Sequence, residues 1–231
     1  MNHMNQWKLN EKGFTLMEMV LVLAIILVLA SIFLPLATTK IKEADEVSAG
    51  GTISSIAKGL AAFYEDLRHF PTCDSTSDCN TFESNDLVFL AFGDGAGSLV
   101  SQYPSAGTGG GNWDFSVNDE ASPARNNAYN HLVINDPDAD GLAAEATQDY
   151  KTAGWRWRGP YVFGINLDPW DRAFIANVGA MEPGGGAISG AATSFGWILS
   201  AGPDNFLDTL PTSTALSNDD IGFIFQNASS F

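Results

Sequence analysis

The sequence has few basic residues and few of the residues that usually build zinc or nucleophilic sites. Its 231 residues include 11 Lys and Arg against 27 Asp and Glu, a formal net charge of −16, with 3 His and 2 Cys. Nucleic-acid binding depends largely on Lys and Arg that neutralise phosphates, so we predict no nucleic-acid partner. The absence of GxSxG and HExxH counts against a hydrolase. The composition suits an acidic surface, or carboxylates that hold a cation.

The two cysteines, Cys73 and Cys79, are close together in the chain. In an oxidising compartment they would close a small loop, which stabilises the fold by about 2 kcal/mol in the chain-entropy model. Two reduced thiols are the alternative, and a metal site is disfavoured because no third Cys accompanies them. We therefore predict a disulfide between these two residues, provided that the domain lies outside the cytoplasm.

A long apolar run, FTLMEMVLVLAIILVLASIFLPLA, occupies residues 14–37. As a helix that rises about 1.5 Å per residue, it is long enough to cross a bilayer core of about 30 Å. An ordinary secretory signal would place a small-residue cleavage site after the run. Here a helical pattern continues instead, so we interpret the run as a retained transmembrane helix. An uncleaved signal anchor is the alternative interpretation.

One acidic residue, Glu18, lies inside this apolar run. An ionised carboxylate in lipid is unfavourable unless it is paired or reaches water at the interface. If the polar leader that precedes the apolar run is cut off after Gly13, the new α-amine of Phe14 supplies a cation at the same depth. The amine of a neighbouring subunit would then neutralise Glu18 and fix the axial register of a helical bundle. A carboxylate that reaches the interface on its own is the alternative.

The segment KGFTLME at residues 12–18 resembles the processing signal of type IV pilins and of type II secretion pseudopilins. The polar leader before it and the apolar run after it are similar too, and Pro35 falls where these families carry a helix-kinking proline. The resemblance implies that prepilin peptidase cuts between Gly13 and Phe14 and methylates the Phe14 amine. It also implies a single-pass inner-membrane protein with a periplasmic or extracellular C-terminal domain.

The pattern and the resemblance together predict an α+β, pilin-like fold, in which a long N-terminal helix packs on a small antiparallel sheet. Apolar residues after Pro35 recur at helical spacing and form one stripe that should face the sheet: Ile53, Ile56, Leu60, Phe63 and Leu67. We divide the chain into a leader, a transmembrane helix half, an amphipathic helix half and a globular domain with a Gly-rich insert at 93–150. Their bounds are 1–13, 14–37, 38–71 and 72–231.

The first acidic segment that could bind a cation contains Asp136, Asp138 and Asp140. Alternating carboxylates of this kind suit calcium, which prefers oxygen ligands. An EF-hand loop that began at Asp136 would need Glu at its last position, where Thr147 stands. A simple acidic turn is the alternative.

The C-terminal part resembles the major, G-type pseudopilins of type II secretion. The resemblance rests on the order of four short sequences: Gly159-Pro160-Tyr161, Asp168-Pro169-Trp170, Ser200-Ala201-Gly202-Pro203-Asp204 and Asp219-Asp220-Ile221. In that family calcium holds the C-terminal loop against the sheet. The resemblance therefore implies calcium as a cofactor, with three side-chain ligands, two backbone ligands and one further candidate: Asp204, Asp219 and Asp220, then Leu199 and Ser200, then Asp208. A solvated acidic loop is the alternative.

These features predict a structural filament subunit rather than an enzyme. The resemblance implies as partners further copies of the chain, minor pseudopilins or pilins, prepilin peptidase, the inner membrane and a membrane assembly platform. We favour a type II secretion pseudopilus over a surface pilus. A membrane-anchored binding protein or adhesin is the alternative, in which the Gly-rich insert contacts a surface through exposed Trp113, Trp155 and Trp157.

Overall fold

The computed structural model describes most of the N-terminal helix and much of the globular domain. The described residues are 13–71, 79, 89–93, 103–106, 113, 126–137, 141, 149–150, 154, 156–164, 166–181 and 195–225. The chain forms two compact units, one that ends at Ala44 and one that begins at Asp45.

One α-helix, α1, spans Leu16–Leu67 and contains Pro35. Among the described helices it alone is long and apolar enough to cross a membrane, as judged by length and composition. In the N-terminal unit its apolar side chains are exposed, and Phe14 just before it is 84% exposed. Residues 19–37 of this unit therefore present an apolar surface that suits lipid or other apolar helices.

The second part of α1 buries the stripe that its sequence predicts. Ile53, Ile56, Leu60, Phe63 and Leu67 are all buried, which confirms the predicted core-facing side of the helix. Gly59 lies beside this stripe, and a Cβ there would overlap Cγ1 of Val162 and come within 3.0 Å of the carbonyl oxygen of Tyr161. Glycine is thus required where the segment around Val162 crosses the helix.

The sheet has four antiparallel strands in the order β1-β3-β4-β6. These strands are Leu90–Phe92, Phe174–Ala176, Gly196–Ser200 and Ile221–Phe225. Two further short strands, β2 (Ser105–Ala106) and β5 (Phe206–Leu207), pair in parallel. Short helical turns occupy Asn130–Ile134, Gly179–Met181 and Gly202–Asp204.

Neighbouring residues of each strand point to opposite faces of the sheet. Both faces are buried, because each one packs into its own hydrophobic core. Phe174 and Ile198 lie in the core that includes the buried stripe of α1. Ile175 and Leu199 lie in a second core, together with Trp113. The result is an α+β, pilin-like architecture, as predicted: one long helix on a small antiparallel sheet.

The described part of the Gly-rich insert contributes to these cores. Trp113 is buried, and its Nε1 donates to the backbone oxygen of Thr209 at 2.7 Å. The alternative interpretation required an exposed Trp113 for surface binding, which is wrong, because Trp113 packs in the second core. Trp157 is half-buried and donates to the backbone oxygen of His131 at 2.9 Å, while Trp155 lies outside the described residues.

Candidate functional sites at the N-terminal helix and the acidic loop

The first turn of α1 is closed by a capping box between Thr15 and Glu18. The Glu18 amide donates to Oγ1 of Thr15 at 3.2 Å. In return, Oε2 of Glu18 accepts hydrogen bonds from the amide of Thr15 at 2.8 Å and from its Oγ1 at 2.9 Å. We predicted only an assembly role for Glu18, and the T-x-x-E spacing is the sequence signal for this additional contact.

The predicted processing residues lie immediately before this cap. Gly13 and Phe14 are both exposed and precede the first residue of α1. An amine created on Phe14 would be adjacent to the capped turn. The pairing of such an amine with Glu18 of a neighbouring subunit stays a prediction.

The acidic loop begins where the central strand β4 ends at Ser200. The chain then makes the turn Gly202–Asp204 and passes through Asn205 in the left-handed conformation, at φ 65°. Gly202 also has a positive φ of 65°, and a Cβ there would overlap the backbone oxygen of Asp219. Glycine therefore allows the outgoing and returning arms of the loop to approach closely.

Three carboxylates meet in this loop, namely those of Asp204, Asp208 and Asp219. One oxygen atom from each lies within 4.8 Å of the other two. The amide of Asp204 donates to Oδ2 of Asp219 at 3.2 Å, and the Asn218 side-chain amide donates to Oδ2 of Asp208. We define these three residues as the acidic cluster. Carboxylate oxygens held this close repel one another, and they are the ligand type that a hard divalent cation takes.

Asp220 lies outside the acidic cluster, although it follows Asp219 directly. Its Oδ2 accepts a hydrogen bond from the Thr209 amide at 2.6 Å. Its Oδ1 is buried and has no hydrogen-bond partner in the described part of the chain. Burial is the main cause that raises the pKa of Asp220 to about 6, hydrogen bonds from Thr209 oppose this shift, and the charge of Asp208 adds to it. The structure thus groups the further candidate, Asp208, with Asp204 and Asp219, and the role of Asp220 as a ligand stays a prediction.

The two predicted backbone ligands, Leu199 and Ser200, lie in β4 between β3 and β6. The hydroxyl of Ser200 donates to Oδ2 of Asp168 at 2.6 Å. They are the last two residues of β4 and directly precede the loop that contains the acidic cluster. Their role as ligands through backbone oxygens stays a prediction.

The other predicted cation segment and the cysteine pair are described only in part. Oδ2 of Asp136 accepts from the amide of Gly141 at 3.1 Å, while Asp138 and Asp140 lie outside the described residues. Cys79 is buried, and Cys73 lies outside the described residues. The second cation loop and the disulfide therefore stay predictions.

The comparison with protein families gives a match at the N-terminus. Residues 8–34 match the family model of the prokaryotic N-terminal methylation motif. The match includes Gly13, Phe14 and Glu18 and the first part of α1. The comparisons with curated proteins and with solved structures give no match.

This motif and the fold together support one class of molecule. A methylation motif at the start of an apolar helix, followed by a small antiparallel sheet, supports a type IV pilin-like filament subunit that is anchored in a membrane. The family of the motif is structural, and it implies self-assembly and processing by prepilin peptidase.

Proposed function

We propose that the protein is a structural subunit of a type II secretion pseudopilus, held in the inner membrane before assembly and built into a filament through α1. The observation that carries this proposal is the methylation motif at residues 8–34, placed directly before a helix whose apolar side chains are exposed. Such a surface is covered by lipid in the membrane and by neighbouring helices in a filament.

The assembly step would use the charge of Glu18. Cleavage between Gly13 and Phe14 creates an α-amine, and an amine from a neighbouring subunit can pair with this carboxylate in apolar surroundings. A pair of opposite charges in a low dielectric is strongly favoured over the two separated charges. Subunits would therefore add at the axial position that brings amine and carboxylate together.

The acidic cluster supports calcium as a structural cofactor. Asp204, Asp208 and Asp219 would hold the ion through their carboxylates, and backbone oxygens near Leu199 and Ser200 would complete the coordination. When bound, calcium supplies the positive charge that offsets the repulsion within the cluster. The nearby buried Oδ1 of Asp220, which has no hydrogen-bond partner among the described residues, is consistent with a positive charge close by.

The preference for a secretion pseudopilus over a surface pilus rests on the C-terminal loop. Asp168 accepts a hydrogen bond from Ser200 at the end of β4, and the acidic cluster lies in the loop that follows. The order of these segments in the sequence resembles that of G-type pseudopilins. The partners proposed on this basis are other copies of the chain, minor pseudopilins, the inner-membrane assembly platform and prepilin peptidase.

The test combines mass spectrometry with a substitution that separates the two roles of Glu18. Material from the membrane fraction should begin at a methylated Phe14. Glu18→Gln retains an acceptor for the cap, because Gln also serves in a capping box, but it removes the charge. We expect normal cleavage and at least a tenfold loss of assembled filament. Glu46→Gln, at an exposed position of the same helix, is the matched control and should assemble normally. Normal filaments from Glu18→Gln would contradict the proposed pairing.

A further inference from the structure

We propose that Asp168 and Arg172, in the turn before β3, are positioning residues for the calcium loop. This inference rests on the proposed binding of calcium by the acidic cluster. Neither residue belongs to that cluster. Both hold the backbone from which its first member, Asp204, extends.

Asp168 fixes the turn and the start of the loop at the same time. The residue is only 3% exposed. Its Oδ1 accepts from the amides of Trp170 at 3.0 Å and Arg172 at 2.8 Å, which closes the turn. Its Oδ2 accepts from the Ser200 hydroxyl at 2.6 Å, and that same hydroxyl oxygen accepts from the amide of Gly202 at 3.3 Å. One buried carboxylate thus connects the turn to the end of β4 and to the entry of the loop.

Arg172 holds the other side of the same loop turn. Its Nε donates to Oδ1 of Asn205 at 2.9 Å. Asn205 is in the left-handed conformation, and its backbone oxygen accepts from the amide of Ser105 at 2.9 Å. Because Asn205 directly follows Asp204, the contact with Arg172 restricts the backbone that presents the Asp204 carboxylate.

This arrangement matters because Asp204 is the exposed member of the cluster, whereas Asp208 and Asp219 are half-buried. An exposed aspartate must lose backbone and side-chain freedom when it coordinates an ion. Gly202 and Asn205 flank Asp204 on both sides and are held by the residues described above. The turn before β3 therefore reduces the conformational entropy that Asp204 loses when it coordinates calcium. Its main effect should be on the affinity for calcium.

The experiment measures the affinity of the full-length protein in detergent for calcium. A separate titration uses terbium in place of calcium and follows the terbium luminescence that energy transfer from tryptophan excites. Arg172→Gln should weaken binding about tenfold, which corresponds to about 1.4 kcal/mol, and Arg172→Lys should recover part of the loss. Asn205→Gly keeps the positive φ accessible and removes the acceptor, so it should reproduce the effect. The double variant should be no weaker than either single one, because both remove the same contact. Arg156→Gln, at an exposed position, is the matched control and should bind as the wild type does.

Asp168→Asn tests the other contact, with Asp171→Asn as its control, because Asp171 is exposed and lies in the same turn. We expect weaker calcium binding for Asp168→Asn and unchanged binding for the control Asp171→Asn. If the wild type binds neither ion, the proposed calcium site fails. If the wild type binds but Arg172→Gln and Asp168→Asn bind equally well, the positioning inference fails while the site stands. Lower melting temperatures in chelator with unchanged affinity would likewise overturn it, since they indicate a purely structural role.

Discussion

Replacing Asp220 with Asn should stabilise the calcium-free protein at neutral pH. Burial raises the pKa of this carboxyl from its ordinary 3.8 to about 6, and its Oδ1 is buried without a hydrogen-bond partner among the described residues. A pKa raised this far corresponds to about 2 to 3 kcal/mol of destabilisation once the folded state must ionise this group, after allowance for screening by solvent. Asn keeps an oxygen that can accept from the Thr209 amide and carries no charge. Since a neutral acceptor forms a weaker hydrogen bond, and the Asn amide NH2 takes the buried position of Oδ1, we expect a net gain of only about 1 kcal/mol.

The sign of the pH dependence follows from the proton balance. Between about pH 4 and pH 6 the folded state of the wild type binds more protons than the unfolded state does, so its stability falls as the pH rises through this interval. The gain from Asp220→Asn should therefore be largest above pH 6 and should disappear near pH 4.

The assay is chemical denaturation of the full-length protein in detergent and chelator at several pH values, with the exposed Asp171→Asn as a control that should change stability by less than about 0.5 kcal/mol. A loss of stability for Asp220→Asn that is equal at pH 7.5 and pH 4 would refute the argument from a buried charge. Saturating calcium should reduce the advantage of Asn, because Asp220 is close enough to Asp208 to feel its charge.

Two further predictions concern packing. Gly59→Ala should destabilise the fold by about 1 to 3 kcal/mol, because its Cβ would overlap buried Val162. The control Gly51→Ala has nothing near the new Cβ, so its stability should be unchanged or higher by up to about 1 kcal/mol. Equal effects of the two substitutions in thermal denaturation would contradict this. Trp113→Phe should cost about 1 kcal/mol through the lost hydrogen bond to Thr209 and should loosen the acidic loop, as measured by hydrogen exchange at residues 208–220. Unchanged exchange there would show that Trp113 does not restrain the loop.

Local sequence patterns predicted the parts of the fold that depend on local periodicity. The stripe from Ile53 to Leu67 repeats at the helical period, and the residues that complete its core were not needed to recognise it. The strand Gly196–Ser200 likewise contains Trp197 and Ile198, an aromatic and a β-branched residue of the kind that favours strands. These features needed no knowledge of distant contacts.

Local sequence patterns could not predict which aspartates form the acidic cluster. Asp219 and Asp220 are adjacent where β6 is about to begin, so their side chains leave the backbone in different directions. Which of them meets Asp204 depends on the register of β6 with β4 and on the amide of Thr209, eleven residues away. Trp113 shows the same limit, since its burial depends on a contact with Thr209 across 96 residues.

The cap at the start of α1 has a consequence for the order of events in maturation. All three of its hydrogen bonds join Thr15 and Glu18, and both residues lie on the retained side of the predicted cut. Removal of the leader at that position would break none of these three hydrogen bonds, so we expect the precursor and the mature chain to share the same first helical turn and the same Glu18 rotamer. Cleavage would then change only the charge next to the Glu18 carboxylate, so we expect the hydrolysis of a single peptide bond to determine when the subunit becomes competent to polymerise.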